Sequence, residues 1–358
     1  MVKEFISQEK ILSKNFFNCK WEAPSNIALI KYWGKSPVQI PMNPSISFTL
    51  KNCLTKTDIS FEPIKNTSNK VKFEFTYNGE SKSDFNSKLE IFFERIINYQ
   101  PFLIDYYLKI NSVNNFPHSS GIASSASAMA ALSACLIDFE NSHNPIVKKH
   151  KKTSFLSRLG SGSACRSVSG PIMTWGKHSK IPKSNDFYAT KFLGYHQIFD
   201  TYCDSILLVD SGKKEVSSTL GHELMKKHPF ASSRFKQAKN NFSLLSVALK
   251  SGDLDSFIKI VENEALQLHA MMMTSNPYFI LIKPKTLNII NEIRDFRRKF
   301  KIPICFTLDA GANVHLLYPQ IHKSDVLEFI KKNLSIYCNN CYINDEVGVG
   351  IKKIKFVL

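Results

Sequence analysis

The sequence predicts a protein of mixed strands and helices arranged in two lobes. Three observations carry this expectation. A chain of 358 residues is long enough to bury one large core or two modest ones. Its first third alternates apolar and polar residues in short strand-like runs, and its last third carries long helical periodicities. A hydrophobic fraction of 43% with 22% charged residues is ordinary for a globular protein.

Taken in order, residues 21–36 (WEAPSNIALIKYWGKS) form a strand-like apolar run in which Asn26, Lys31, Tyr32 and Lys35 keep company with Ile27, Leu29 and Ile30. Two lysines beside a hydrophobic strand suit a solvated edge or an anion clamp. SISFTL (45–50), CLTKTDISFE (53–62) and VKFEFTYNGE (71–80) read as three antiparallel strands, with Asn78-Gly79 as a hairpin turn. Residues 84–98 have helical spacing, and DYYLKINSVNNF (105–116) is a further strand.

The stretch from Phe116 to Asp138 opens with a loop of small and hydroxyl residues and runs straight into a helical pattern. Gly121, Ala123, Ser124 and Ser125 leave backbone N–H groups open to an anion, and the positive end of the helix dipole would point at the same spot. This reads as a phosphate-binding loop. The same residues also suit an N-capped helix packed on a sheet, and the stretch by itself leaves both open. It is neither of the common phosphate loops: Leu29 occupies the first glycine position before Gly34-Lys35-Ser36, and Cys165 the third after Gly160 and Gly162; Gly348-Val349-Gly350 fails likewise.

In residues 154–170 (SFLSRLGSGSACRSVSG), Arg166 offers a planar fork of donors, with Ser161, Ser163 and Ser167 around it. The pattern suits a carboxylate or phosphate, and equally a tight turn before a strand. SILLVD (205–210) is a strand, helical patterns occupy 231–251, 253–273 and 284–300, and the strand CFTLDAGANVHLLYP (305–319) carries a lone carboxylate, Asp309.

Eight scattered cysteines are not a disulfide framework, and the single Cys338-x-x-Cys341 around Asn339-Asn340 reads as a turn. No uninterrupted apolar run is long enough for a membrane span, and the opening MVKEFISQEKILSKNFF lacks a signal-peptide core, so the cytoplasm is the expected location. A formal charge of +17 raises nucleic-acid binding as a rival class. The basic residues are dispersed, however, and no nucleic-acid-binding module is recognisable.

Four motifs resemble one family. Pro117-x-x-x-Gly121-Ile-Ala123-Ser124-Ser125 is similar to the nucleotide loop of the GHMP kinase superfamily, with alanine at its second glycine. Ala23-Pro-x-Asn26-Ile-Ala-x-x-Lys31-Tyr32-Trp-Gly-Lys35 resembles the N-terminal signature of diphosphomevalonate decarboxylases. Gly160-Ser161-Gly-Ser163-Ala-x-Arg166-Ser resembles their arginine-serine segment, and Asp309-Ala-Gly-Ala312-Asn313 their catalytic-aspartate turn, with alanine replacing proline.

The resemblance implies an α+β, two-lobed GHMP-kinase-like fold with the active site in the cleft, roughly residues 1–190 and 191–358, the final strand returning to the first lobe. It implies ATP and Mg²⁺ (or another divalent cation), mevalonate 5-diphosphate as substrate, isopentenyl diphosphate as product, and a homodimer. Residue by residue, it implies Asp309, Lys31, Arg166 and Ser161 as catalytic. Asn26, Tyr32, Lys35, Ser163, Ser217 and Ser218 would bind substrate. Pro117, Ser120, Gly121, Ala123, Ser124 and Ser125 would bind ATP, with Ser124 also near the metal. A mevalonate 3-kinase or a phosphomevalonate decarboxylase of the same family remains open, as does RNA binding outside enzymes.

Overall fold

The computed structural model describes residues 2–7, 11, 15–117, 121–210, 212 and 218–355. The first half begins with the long strand β1 (Phe17–Ile30), then a small hairpin of β2 (Lys35–Ser36) and β3 (Ile40–Pro41), then β4 (Ser45–Pro63). After it come β5 (Lys72–Tyr77), β6 (Glu80–Ser81), α1 (Ser83–Ile96) and β7 (Tyr106–Asn114). Helices α2 (Ser124–His143) and α3 (Lys149–Gly160) precede β8 (Ile172–Trp175) and β9 (Thr190–Lys191).

The second half holds β10 (Cys203–Leu207), then the helices α4 (Ser218–Leu224), α5 (Ala231–Ser251), α6 (Leu254–Met273) and α7 (Pro284–Phe300). It continues through β11 (Cys305–Thr307), β12 (Val314–Tyr318), α8 (Lys323–Phe329), β13 (Tyr342–Glu346) and β14 (Lys352–Lys353).

The α+β class is therefore observed. The main sheet runs β14-β1-β4-β7-β5-β6, with β8 and β9 continuing from β4, and a second sheet runs β11-β12-β10-β13. Three local expectations are corrected. The two runs 45–50 and 53–62 form one strand, β4, which pairs with β1 along its length, with β8 at its start and with β7 at its end. Strand β5 lies parallel to β7, because α1 carries the chain across the sheet between them. Residues 305–319 are two antiparallel strands, so Asp309 sits in the connection rather than on a strand.

Packing follows from the patterns. Phe61, Phe92, Leu136, Phe139 and Phe155 fill a core between the main sheet and α1–α3. Ile27, Leu29, Phe48, Phe242, Leu245 and Val261 fill another on the opposite side, under α5 and α6. Strand β1 is buried from Ala23 to Ile30 because both faces are covered. No helix among the described residues is long and apolar enough to cross a membrane.

The pairing of β1 with β4 slips twice, between Pro24 and Asn26 and between Ala28 and Ile30. Proline has no N–H to give a ladder, and irregularities of this kind re-aim side chains. Here they turn Ser25 and Asn26 toward two loops and set the direction in which the chain leaves the sheet at Lys31.

Candidate active site

Lys31 is the first residue beyond β1 and is 1% exposed. Its Nζ donates to Asp309 Oδ1 at 3.0 Å, across 278 positions of sequence. Its backbone N–H donates to Glu264 Oε2 at 3.0 Å, and its carbonyl accepts from Asn43 Nδ2 at 3.0 Å. Burial pushes the ammonium below its ordinary value; Asp309 and then Glu264 oppose this, while Arg166 adds to it.

Asp309 lies between β11 and β12. The loop that bears it meets the loop before α2: a Cβ on Gly311 would stand 3.8 Å from Gly121 Cα. Gly121 has φ +82°. Ala123, the residue before α2, also lies in the left-handed region (φ 45°, ψ 41°), which costs a non-glycine residue about 1–2 kcal/mol. Ser25 Oγ donates to the Ile122 carbonyl and fixes the loop to β1. Ser124 and Ser125 are the first two residues of α2, so both hydroxyls stand at the positive end of its dipole.

Arg166 sits in the short helical turn after α3 and is 2% exposed. Its Nη1 donates to Ser45 Oγ at 2.6 Å, and its Nε to Ser47 Oγ at 3.1 Å and Asn26 Oδ1 at 3.4 Å. Asn26 in turn donates to Ser167 Oγ at 2.8 Å and the Ser163 carbonyl at 3.2 Å. Burial lowers the guanidinium pKa, and the nearby Asp309 charge favours the cation. Ser161 Oγ lies 3.3 Å from Ser125 Oγ, joining this segment to the start of α2.

The residues after Lys31 diverge. Tyr32 packs edge-on against Trp175 and beside His222, its buried hydroxyl without a hydrogen-bond partner among the described residues. Burial raises that phenol's pKa. A Cβ on Gly162 would stand 2.8 Å from the same oxygen, so only glycine fits there. Lys35 is half-buried in β2, and burial lowers its pKa as well. Trp33 packs on Gly221 of α4, and Gly34 N–H donates to His222 Nδ1 at 2.9 Å. These contacts bring α4 against residues 31–35. Ser218 is the first residue of α4, whereas Ser120 and Ser217 lie outside the described residues. Pro117 is exposed, just before that first gap.

The fold thus gathers charged and hydroxyl groups from the end of β1, the β11–β12 connection, the start of α2 and the turn after α3. The sequence model of the diphosphomevalonate decarboxylase-like N-terminal domain matches residues 23–189, and that of the mevalonate 5-diphosphate decarboxylase C-terminal domain matches residues 205–350. The chain belongs to the diphosphomevalonate decarboxylase family.

Within this family, the Ganoderma lucidum diphosphomevalonate decarboxylase is 29% identical over 327 residues, covering 87% of this chain and 80% of the relative. The solved structure of the Staphylococcus aureus mevalonate diphosphate decarboxylase superposes with a TM-score of 0.81 at 29% identity, covering 95% of this chain and 99% of its own. A solved complex of MDDEF with MVAPP, AMPPCP and magnesium gives 0.82 at 27% identity, covering 96% of this chain and all of its own.

Sequence reasoning missed four residues of this site. Ser45 and Ser47 hold the guanidinium, and their period-two spacing in SISFTL was the available signal, since it puts both on one face of a strand. Glu264 and His269 were hidden within the helical pattern of α6; His269 Nε2–H donates to the Asp309 carbonyl at 3.1 Å.

Proposed function

We propose that this member of the family is an ATP-dependent decarboxylase that converts mevalonate 5-diphosphate to isopentenyl diphosphate, ADP, phosphate and CO₂. The observation that carries the reading is the contact of the buried Lys31 with the half-buried Asp309, with the buried Arg166 guanidinium close enough for their charges to interact.

ATP would supply the phosphoryl group that makes the tertiary 3-hydroxyl a leaving group. In this reading Asp309 accepts or orients the proton of that hydroxyl, and Lys31 stabilises negative charge where the phosphoryl group is transferred. The start of α2, with Ser124 and Ser125, faces the nucleotide phosphates together with Gly121 and Ala123. Loss of phosphate from C3 leaves positive character that departure of the carboxylate as CO₂ relieves. Arg166 and Ser161 hold that carboxylate in line, and Asn26 and Ser163 keep the Arg166 segment in place. Tyr32, Lys35 and Ser218 lie on the side assigned to the diphosphate tail.

Among the described residues no group of three or more His, Cys, Asp or Glu side chains could hold a metal ion. The serine hydroxyls at the start of α2, Ser124 first, are hard oxygens that suit Mg²⁺ when phosphate oxygens complete its shell. Homodimer formation and a cytoplasmic location belong to the same reading, and sedimentation of the purified protein tests the first.

The deciding experiment incubates the protein with ATP, Mg²⁺ and mevalonate carrying zero, one or two 5-phosphates. Equal ADP and CO₂ from the diphosphate alone is the expected result. ADP without CO₂ from unphosphorylated mevalonate identifies a 3-kinase, and CO₂ from the monophosphate a phosphomevalonate decarboxylase.

A further inference from the structure

Lys31 and Asp309 belong to opposite halves of the chain, yet their charged atoms meet at 3.0 Å. Neither residue is held at that distance by its own secondary structure. Lys31 follows the last paired residue of β1, and Asp309 lies in the connection between β11 and β12. One helix touches the main chain of both. Glu264 of α6 accepts the Lys31 backbone N–H, and His269, five residues further along α6, donates to the Asp309 carbonyl. Five residues of helix are a rise of about 7.5 Å.

Glu264 is fully buried and its carboxylate is saturated. Arg234 Nη1 donates to Oε1 at 3.0 Å and Arg234 Nη2 donates to Oε2 at 2.6 Å, while Asn241 Nδ2 donates to Oε1 at 2.6 Å. A buried ion pair is poor evidence of stabilisation, because an apolar pair would fill the same space at less desolvation cost. What the carboxylate adds is an acceptor for the Lys31 N–H, just beyond the last paired residue of β1. His269 is 1% exposed, and since a carbonyl only accepts, its Nε2 carries the proton.

We infer that α6 is the strut that sets the Lys31–Asp309 geometry, with Glu264 and His269 as positioning residues for that pair. The strut closes a ring: Lys31 main chain, Glu264, the rigid helix, His269, Asp309 main chain, and the side-chain contact between Lys31 and Asp309. A helix is stiff along its axis, so shifting either anchor moves one charge relative to the other. The chemical importance of the pair rests on the decarboxylase reading, but its geometry does not.

The test compares wild type with His269→Leu and His269→Gln. Glutamine carries its own Nε2–H donor, and leucine has none. The first readout needs no substrate: the titration of Lys31 followed by NMR in protein labelled with ¹³C at lysine Cε, assigned by Lys31→Arg. Charged or titratable groups that act with Lys31 are Asp309, Glu264, Arg166, His269 and Asp204. Loosening Asp309 withdraws the main charge that opposes burial, so in His269→Leu the Lys31 resonance titrates at lower pH than in wild type. The second readout is turnover: a misplacement of about 1 Å is worth about 100-fold, so kcat falls by that order while KM stays close to wild type. His269→Gln recovers most of both.

A folded His269→Leu protein with wild-type Lys31 titration and wild-type kcat overturns the strut. So does an equal loss in the glutamine variant, which would make His269 a packing residue. Should the leucine variant fail to fold, His269→Asn, too short to reach the carbonyl, carries the same expectations. If no mevalonate derivative yields CO₂, the decarboxylase reading falls, and the Lys31 titration alone decides the strut.

Discussion

Ser125 and Ser161 stand with their hydroxyl oxygens 3.3 Å apart, one in the first turn of α2 and the other just past the end of α3. Through this contact the start of α2, assigned above to the nucleotide, and the segment that carries Arg166 share a border. A substitution on either side therefore needs to be read on both substrates. Ser124→Ala is expected to raise the KM for ATP or the Mg²⁺ requirement by about one to two decades, the cost of one hydrogen bond to a charged group. Ser161→Ala is expected to act instead on the KM for the mevalonate derivative. Initial rates against each substrate in turn check the division; equal effects on both substrates would merge the two subsites.

Asp309→Asn keeps the size of the side chain and removes its charge. General base catalysis contributes about two to four decades, so kcat is expected to fall by that much with little change in KM. In the proposed reaction the phosphoryl transfer comes first, so ADP and CO₂ are expected to fall together. Wild-type turnover would make Asp309 a turn residue.

Arg166 has no salt bridge among the described residues, and its guanidinium is held by serine and asparagine oxygens alone. A buried cation held this way is costly to the fold. Arg166→Met is therefore expected to leave thermal stability unchanged or raise it by roughly 1 kcal/mol, while both KM and kcat worsen. A Tm well below wild type would show that the guanidinium is a structural support.

Two buried histidines set an acid limit. Burial drives His222 down to about 3, with Lys35 adding to the shift, and drives His269 down to about 4. In the unfolded chain both take up protons near their ordinary value of 6.5. The unfolded state then binds more protons, so stability present above that pH is lost as pH falls toward the folded values. For His269 the gap corresponds to roughly 3 kcal/mol. Urea unfolding at pH 7, 5.5 and 4.5 should show the decline, and a His222→Asn, His269→Gln double variant should flatten it.

The residue types of the site were legible because the motif words keep them: Lys31 in its signature, Arg166 among its serines, Asp309 before its glycine. Their contacts were not. The bond from Lys31 to Asp309 spans 278 positions, and nothing in local periodicity encodes a partner that far away. The parallel pairing of β5 with β7 did have a signal, since a helical run between two strands is the mark of a crossover. The hairpin at Asn78-Gly79 drew attention from it. Glu264 and His269 stayed hidden for a different reason: in a helix with one buried face, a polar residue at an apolar position reads as noise until its partner is seen.

Strand β14 pairs with β1 at Trp21 and Glu22, the edge of the main sheet. Near it, Gly348 N–H donates to the Thr49 carbonyl and Ile351 N–H to that of Val168. During synthesis this edge stays open until residues 348–353 have left the ribosome, long after the strands beside it are complete. An open strand edge is a template for another chain. Removing residues 348–358 should therefore show first as aggregation of newly made protein, and only secondarily as a loss of turnover in the fraction that stays in solution.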